Sequence, residues 1–445
     1  MKRREFLRNV SLATAGTIGF PYILPSGRMF AQTTDRMADH VVVVLFAGGV
    51  RQQESVLQRY LADSQNESIE GNIMYNLLAG ATPNDKVVYG TDSDRPGKDP
   101  IPQILTTPLQ LQGTLFREMR TSEVIHYNGL NLCVQGNISA TQGLKQQPIF
   151  PTVFEYIRRH VGVPASKAWF VGSGIGNSIP LLSYSQNEFY GQAYGANFLA
   201  PLLTFGEKGF RHLSRAKSYH PEYELSPMEE MKVFLDSSFG RNADVITGIN
   251  NTEEERYEIS QFIENLFVKT EQRQVIQPLV RDNGDLKTIG YACEVLQQFK
   301  PTLTVVDLEE VDVCHGSFTD YLRNLHRADH AVGFLWNYIQ TQIPEMSDNT
   351  ILIVVPECGR NLHANPIKDE NDWFSYDHSD LNSLRVFGMM AGPGVPQGLA
   401  IGQEGVPVGM TADIVPTVAD ILGVKDEVIN QGYLYEGARS LFDRI

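Results

Sequence analysis

The second half of the chain alternates apolar runs with an amphipathic segment. Apolar, β-branched runs at 301–307, 350–356 and 384–391 predict strands, and residues 320–342 have apolar side chains at helical spacing. A last apolar segment at 410–422 predicts a closing helix. Because strands that alternate with helices form mainly parallel sheets covered on both faces, this pattern predicts a three-layer α/β sandwich.

The first half gives a weaker pattern. The β-branched run at 41–49 ends in two glycines, which predicts a buried parallel strand that opens into a loop. Residues 115–119 suggest a helix, 123–127 a short strand and 151–161 a helix. We expect a long insertion at about 180–300 to be helical and to cover the functional site, within a domain that runs from 39 to 445.

The N-terminus is typical of an export signal. Arg3 and Arg4 precede Phe6 and Leu7, and a weakly apolar stretch follows. That stretch is too short to span a bilayer. We therefore expect residues 1–31 to be a twin-arginine signal peptide, which would make the protein periplasmic or extracellular. The alternative is an ordinary basic N-terminal helix.

The charge balance excludes some partners. Lys and Arg total 37 against 52 Asp and Glu, a net charge of −15. Such an acidic surface argues against nucleic acid or an anionic membrane as the main partner. No later run is long enough for a membrane span, and the four cysteines are too few and too scattered for a disulfide scaffold.

Three short stretches carry candidate metal ligands. They lie at 311–316, 356–361 and 376–379, and each is expected to follow a strand. Loops at the carboxyl ends of parallel strands can bring distant residues together. Carboxylate, imidazole and thiolate groups are the ligands of zinc-type ions. The candidate ligands are Asp312, His315, Glu357, Cys358 and His378.

These stretches resemble the second half of the alkaline-phosphatase superfamily, which includes sulfatases, nucleotide phosphodiesterases and phosphoglycerate mutases. The resemblance implies that Asp312, His315 and His378 hold one ion. The family has an Asp-His pair for a second ion where this chain has Glu357 and Cys358. It also has an Asp at the end of its first strand, where this chain has an alanine. With these two replacements, Glu357 and Cys358 are either ligands of a second, more weakly bound ion or remnants of a site that no longer binds metal.

The resemblance also implies a nucleophile at a helix start. Ser139 or Thr141 is the nearest candidate, although both residue types are common at helix N-caps for structural reasons. Arg360 either orients an anionic substrate through a bidentate contact or only caps the loop after the sheet.

The sequence therefore predicts an exported, metal-dependent hydrolase of phosphate or sulfate esters that acts on a small-molecule substrate. Its cofactor would be a divalent metal, most simply zinc, with one ion favoured over two. The formylglycine motif of sulfatases is absent, which favours phosphate esters. The alternative is a catalytically inactive pseudoenzyme of the same fold that serves as a binding or assembly module.

Two smaller features leave alternatives open. Cys314 and Cys358 are adjacent to matching ligand positions and could form a disulfide in an oxidising compartment, as one of the three pairings that four cysteines allow. The turn at 46–51 is either an anion-binding turn with Arg51 nearby, or a tight turn that its glycines allow after a buried strand.

Overall fold

The computed structural model describes most of the chain. The described residues are 36–60, 69–83, 87, 89, 100–137, 145–172, 179–200, 253–280 and 283–445, with isolated positions at 22–23, 29–30, 222, 225–226 and 229. Apart from the paired two-residue strands Tyr22–Ile23 and Met29–Phe30, the expected signal peptide at 1–31 lies outside them.

One eight-stranded sheet forms the centre of the molecule. Its strands are β1 (His40–Phe46), β2 (Gly113–Arg120), β3 (Ala168–Val171), β4 (Asn197–Leu199), β5 (Leu303–Leu308), β6 (Thr350–Pro356), β7 (Arg385–Ala391) and β8 (Leu399–Ile401). Their order across the sheet is β8-β2-β7-β6-β1-β5-β3-β4. Among the described strands of this sheet, all pairings are parallel except those of β7 with β6 and β2, so β7 alone of these runs in the reverse direction.

Nine α-helices are present in the described part of the chain. They are α1 (Leu109–Gln112), α2 (His126–Gln135), α3 (Val153–Tyr156), α4 (Glu253–Glu271), α5 (Gly284–Phe299), α6 (Phe318–Gln342), α7 (Pro344–Ser347), α8 (Ile414–Ile421) and α9 (Lys425–Ile429). The longest, α6, begins where the Ser317 side chain accepts a hydrogen bond from the backbone N–H of Asp320. None of the described helices is both long and apolar enough to cross a bilayer.

The two faces of the sheet form separate cores, because successive side chains of a strand point to opposite faces. In β1, Val42 and Val44 pack with α4, α5 and α6 on one face. Val41 and Val43 pack with α2, α3 and α8 on the other. These valines are almost completely buried, and burying each stabilises the fold by about 1.5–3 kcal/mol. The predicted three-layer sandwich with a mainly parallel sheet is confirmed.

The strands expected in the second half of the chain are confirmed, but two predictions in the first half are wrong. Residues 115–119 lie in strand β2, and 123–127 run into helix α2 instead of a strand. Strand β2 has a neighbour on each side and is mostly buried, so its apolar run does not alternate. A short apolar run without alternation cannot distinguish a buried strand from a helix.

The expected helical insertion at 180–300 contains α4 and α5. Helix α5 packs against β3, β5 and α6, so it belongs to one layer of the sandwich. Residues 179–183 and 191–194 form short 3₁₀ helices, and β4 lies between the second of these and the undescribed segment that begins at 201.

Candidate metal centre

One edge of the sheet collects the candidate ligands. Strands β1, β5 and β6 are parallel, so their carboxyl ends meet there. The chain after β5 forms a short 3₁₀ helix, Glu310–His315, and the chain after β6 continues as Glu357 and Cys358. Strand β2 ends at the same edge and leads into helix α2, whose first residue is His126. Because β7 is reversed, the loop that precedes it also lies at this edge and brings His378 there.

Three histidines and an aspartate form the centre of this edge. Suitable ligand atoms of His126, His315 and His378 all lie within 4.8 Å of one another. Oδ1 of Asp312 lies 2.9 Å from Nε2 of His126 and 3.1 Å from Nε2 of His315. Ligands of one tetrahedral zinc ion are separated by roughly 3.3 Å, given bonds of about 2.0–2.1 Å. The four side chains therefore have the spacing of a common ligand set.

Two of the histidines are oriented by carboxylates on their far side. Nδ1 of His126 lies 2.6 Å from Oε1 of Glu357, and Nδ1 of His315 lies 2.7 Å from Oδ1 of Asp377. A carboxylate in this position holds the proton on Nδ1 and leaves Nε2 free for a metal. Both Nε2 atoms face Asp312, so the arrangement is that of histidine ligands with outer carboxylate support.

His378 completes the cluster. Its ring centroid lies 4.2 Å from that of His126 and 4.8 Å from that of His315. Its Nδ1 is buried and has no hydrogen-bond partner among the described residues. Burial, followed by the nearby charges of His126 and Arg360, lowers the pKa of His378 to about 3. A neutral imidazole with an unpartnered buried nitrogen fits a metal ligand.

The charged groups around the cluster are arranged for a cation. Burial raises the pKa of Asp312, but hydrogen bonds from His126 and His315 outweigh it and bring the pKa well below its ordinary value. Burial lowers the pKa of His126, but Cys358 and then Asp312 and Glu357 hold it well above 6.5. The cluster without an ion therefore takes up a proton, and that proton occupies the place where a metal would supply positive charge.

Glu357 and Cys358 both lie next to Nδ1 of His126. Sγ of Cys358 lies 3.7 Å from Nδ1 of His126, and the ligand atoms of the three residues lie within 4.8 Å of one another. Glu357 Oε1 also accepts a hydrogen bond from the backbone N–H of Gly48 at 2.8 Å. Burial, reinforced by the charge of Glu357, raises the pKa of Cys358 to about 11. Without a metal the thiol therefore stays protonated.

Arg360 is fully buried. Its guanidinium donates to Oδ1 of Asp312 at 2.7 Å and to the backbone carbonyl of Gly48. It thus holds the Asp312 carboxylate from the buried side of the centre. Whether Arg360 also orients an anionic substrate stays a prediction.

The structure brings together all five predicted ligands, and their binding roles stay predictions. The candidate nucleophiles Ser139 and Thr141 lie outside the described residues. The statement that the stretch at 376–379 follows a strand is wrong in one respect, because that loop leads into the reversed strand β7.

His126 is the site residue that the sequence analysis missed. The sequence analysis predicted a short strand at 123–127 and assigned no role to His126. The signal that could have found it is the helical spacing of Tyr127, Leu130 and Val134, which are all buried on α2. With a helix starting there, His126 faces the strand ends.

The turn after β1 is a tight structural turn. Gly48 has φ +152° and Gly49 has φ +72°, and a Cβ on Gly48 would lie 2.5 Å from the backbone nitrogen of Asp312. The N–H groups of Gly48, Val50 and Arg51 donate to Glu357, to the Cys358 carbonyl and to a tyrosine hydroxyl. The second alternative stated for this turn therefore describes it.

Arg51 supports the loop that carries His378. Its guanidinium is buried and forms an ion pair with Glu54 at 2.5 Å. Its Cζ also lies 3.8 Å from the centroid of the Tyr376 ring. The backbone N–H of Tyr376 donates to the Cys314 carbonyl at 3.0 Å. These contacts fix the position of Tyr376, which precedes Asp377 and His378 in the same loop.

The proposed disulfide is absent. Cys314 and Cys358 are both buried free thiols, as are the other two cysteines of the chain, Cys133 and Cys293.

One side of the centre is open. The side chains of His315, Asp312 and Asp377 are 39%, 41% and 47% exposed, whereas that of His126 is 10% exposed. A ligand can therefore reach the cluster from the side of His315 and Asp377, while α2 closes the other side.

Comparisons with known proteins give structural matches only. No protein-family model matches the chain, and no curated protein matches it. Among solved structures, it is similar to a protein in the alkaline phosphatase superfamily from Vibrio parahaemolyticus, with 12% identity, a TM-score of 0.39 and coverage of 95% of this chain and 76% of that one. It is also similar to the lipoteichoic acid synthase of Listeria monocytogenes, with 10% identity, a TM-score of 0.37 and coverage of 95% and 78%. The alkaline phosphatase of the Antarctic bacterium TAB5 matches with 10% identity, a TM-score of 0.39 and coverage of 87% and 98%.

Proposed function

We propose that the protein is an exported, metal-dependent hydrolase of phosphate or sulfate esters. The observation that carries the proposal is the convergence of His126, His315 and His378 with Asp312 at the carboxyl end of a parallel sheet. Imidazole and carboxylate donors at this spacing fit a zinc-type ion. The twin-arginine motif supports export.

Each residue has a defined part in the proposed centre. His126, His315 and His378 would hold the ion through neutral imidazole nitrogens, and Asp312 would add an anionic oxygen. Glu357 and Asp377 fix the orientation of two of these rings. A bound ion of this kind acts as a Lewis acid and lowers the pKa of a coordinated water.

The exposed side of the centre would receive the substrate. Asp377, Asp312 and His315 are its exposed groups, so an ester would enter over them. The buried Arg360 keeps Asp312 in place through its hydrogen bond to Oδ1. The ester is therefore bound by the ion and by the open face of the cluster.

A binding module without turnover is the second candidate. It is favoured by Ala47, which stands where the resemblance implies a charged ligand, and by the complete burial of Arg360. A protein of this kind would bind a metal, or an anion through that metal, without hydrolysis.

Metal analysis of the purified full-length protein tests the proposal, followed by assays with generic aryl phosphate and aryl sulfate esters. We expect tightly bound metal, and hydrolysis that is lost in His315→Ala. His363→Ala is the matched control, because His363 is exposed on a neighbouring loop. Absence of bound metal would overturn the proposal, and bound metal with no hydrolysis of any ester would favour the binding module.

A further inference from the structure

A cavity lies at the edge of the sheet opposite to the metal centre. It is formed where β2 and β6 begin and the reversed strand β7 ends, between Gln112, Asp348 and Gly392. Its volume of about 620 Å³ is within the range of roughly 300–1,000 Å³ that is usual for small-molecule sites. Strand β6 has seven residues, each rising about 3.3 Å, so the cavity and the metal centre are about 20 Å apart. One small ligand therefore cannot contact both.

The cavity has a polar lining that is almost uncharged. Side-chain amides and hydroxyls provide most of its polar groups. The amides are those of Gln112, Gln340 and Gln397, and the hydroxyls are those of Thr106, Thr107 and Ser347. Each of these groups can both donate and accept a hydrogen bond, so the lining suits a ligand whose own groups do the same.

The amide of Gln112 is fixed before any ligand binds. Its Oε1 accepts a hydrogen bond from the indole N–H of Trp336 at 3.0 Å, and its Nε2 donates to the carbonyl of Thr107 at 2.5 Å. Trp336 is itself only 4% exposed. An amide keeps one N–H and one acceptor position when it makes one bond of each kind. Gln112 therefore offers a ligand one donor and one acceptor in a set orientation.

The amide of Gln340 lacks a partner. Gln340 lies one turn of α6 after Trp336, so both side chains are on the same side of the helix. Its Nε2 is buried and has no hydrogen-bond partner among the described residues. Proteins satisfy such a group with water or with a ligand. Gln340 therefore adds an unused donor to the lining of the cavity.

Three other classes of ligand do not fit this lining. Anions are disfavoured, because no basic residue lines the cavity in the described part of the chain and Asp348 repels negative charge. A divalent ion such as Ca²⁺ needs about six or more oxygen ligands, and Asp348 supplies the one carboxylate among the described lining residues. An apolar ligand would leave the amides without partners.

We propose that this cavity binds a neutral saccharide. Sugar hydroxyls donate and accept, as the amides and hydroxyls of the lining do, and the two oxygens of Asp348 can accept from neighbouring hydroxyls. Leu111, which is 47% exposed, and Pro393 provide an apolar surface for the C–H face of a sugar ring. This binding needs no metal and does not rest on the proposed function.

Nuclear magnetic resonance of the indole N–H groups in the full-length chain tests the proposal. The chain has three tryptophans, and Trp336→Phe identifies the signal of Trp336. The probes are glucose, maltose, cellobiose and diacetylchitobiose, each added up to about 50 mM. We expect the signal of Trp336 to shift, because its N–H donates to Gln112, with a Kd of roughly 1 mM for at least one probe. The signals of Trp169 and Trp373 should stay in place.

Gln340→Ala should weaken saccharide binding at least about tenfold, since it removes an amide that the ligand satisfies. Gln342→Ala is the matched control, because Gln342 is an exposed glutamine at the end of the same helix and does not line the cavity. Glucuronic acid should bind the unchanged chain at least about tenfold more weakly than glucose, because Asp348 repels its carboxylate. Asp348→Asn should narrow this difference, and Glu345→Gln, which changes a nearby exposed acid, should not.

The outcomes separate this proposal from the proposed function. A Trp336 signal that none of the four saccharides shifts overturns the saccharide site, and so does an equal Kd in Gln340→Ala and the unchanged chain. His315→Ala should bind the saccharides normally, and lost binding in this variant would assign the sugar to the metal centre and overturn the site. None of these results depends on bound metal or on ester hydrolysis, which decide the proposed function.

Discussion

Oδ1 of Asp377 lies 2.7 Å from Nδ1 of His315, and this contact turns Nε2 of the same ring toward Oδ1 of Asp312. The contact joins the short 3₁₀ helix after β5 to the loop before β7. It therefore links two segments that are far apart in the chain and fixes the ring of His315, which is more exposed than that of His126.

Asp377→Asn should weaken zinc binding about 10- to 100-fold, because the ring loses the anionic acceptor that orients it and raises its basicity. The measurement is the Kd for Zn²⁺ by competition with a chromophoric chelator. Asp372→Asn is the matched control, since Asp372 lies on the same loop with its side chain 91% exposed. Equal affinity in both variants would show that Asp377 does not support the metal ligand.

The affinity for zinc should rise with pH. Burial alone lowers the pKa of His126, but Cys358, Asp312 and Glu357 hold it well above 6.5 in the metal-free chain. The ion must therefore displace a proton from His126, and below that pKa the apparent affinity should rise about tenfold per pH unit for each proton released.

Calorimetry of Zn²⁺ binding in buffers of different ionisation enthalpy measures this release directly. Cys358→Ser in the same experiment removes the group that contributes most to raising the pKa of His126, so fewer protons should be released on binding. A Kd that does not change between pH 6 and 8 in the unchanged chain would contradict the assignment of His126 as a ligand.

The sequence predicted the fold and most of the centre for a physical reason. The runs at 301–307 and 350–356 are rich in β-branched residues and buried on both faces. Their pattern therefore indicates strands. Ligands placed directly after such strands must meet at one edge in a parallel sheet. Asp312 and Glu357 were found in this way.

What the sequence could not give depends on direction and on tertiary pairing. His378 was predicted as a ligand, but strand β7 gives the same apolar signal in either direction, and only its antiparallel pairing with β6 places the loop of His378 at the ligand edge. His126 required the correct start of helix α2.

Glu155 should make stability depend on pH. Burial raises its pKa from 4.5 to about 7, against hydrogen bonds from Ser185 and Thr152 that lower it. A raised carboxyl pKa favours the protonated folded state. The contribution of Glu155 to the free energy of unfolding is therefore greatest below about pH 4.5, where the acid is protonated in both states, and it decreases as the pH rises to about 7.

Glu155→Gln should remove this dependence. The amide oxygen can accept from the N–H groups of Thr152 and Ser185, as Oε2 does now, and the amide nitrogen can donate to the Ser185 hydroxyl. We expect the variant to be more stable than the unchanged chain above pH 7 by roughly 2–3 kcal/mol and equal to it near pH 4. Chemical denaturation at several pH values measures the difference, and a constant difference across this range would contradict the assignment.

Gly129→Ala tests whether the approach of α2 to the end of β6 positions the metal ligands. A Cβ on Gly129 would lie 2.9 Å from Cγ of Glu357 and 2.9 Å from its carbonyl oxygen. Helix propensity alone favours alanine by about 1 kcal/mol, but overpacking costs about 1–3 kcal/mol. Because the clash includes a backbone atom, we expect overpacking to win, with a lower melting temperature. The displaced carboxylate should also weaken zinc binding about tenfold through His126.

Gly316→Ala is the control, since a Cβ there meets no atom within 4 Å and its φ is negative. Unchanged zinc affinity in a folded Gly129→Ala protein would show that Glu357 does not orient His126 for the ion.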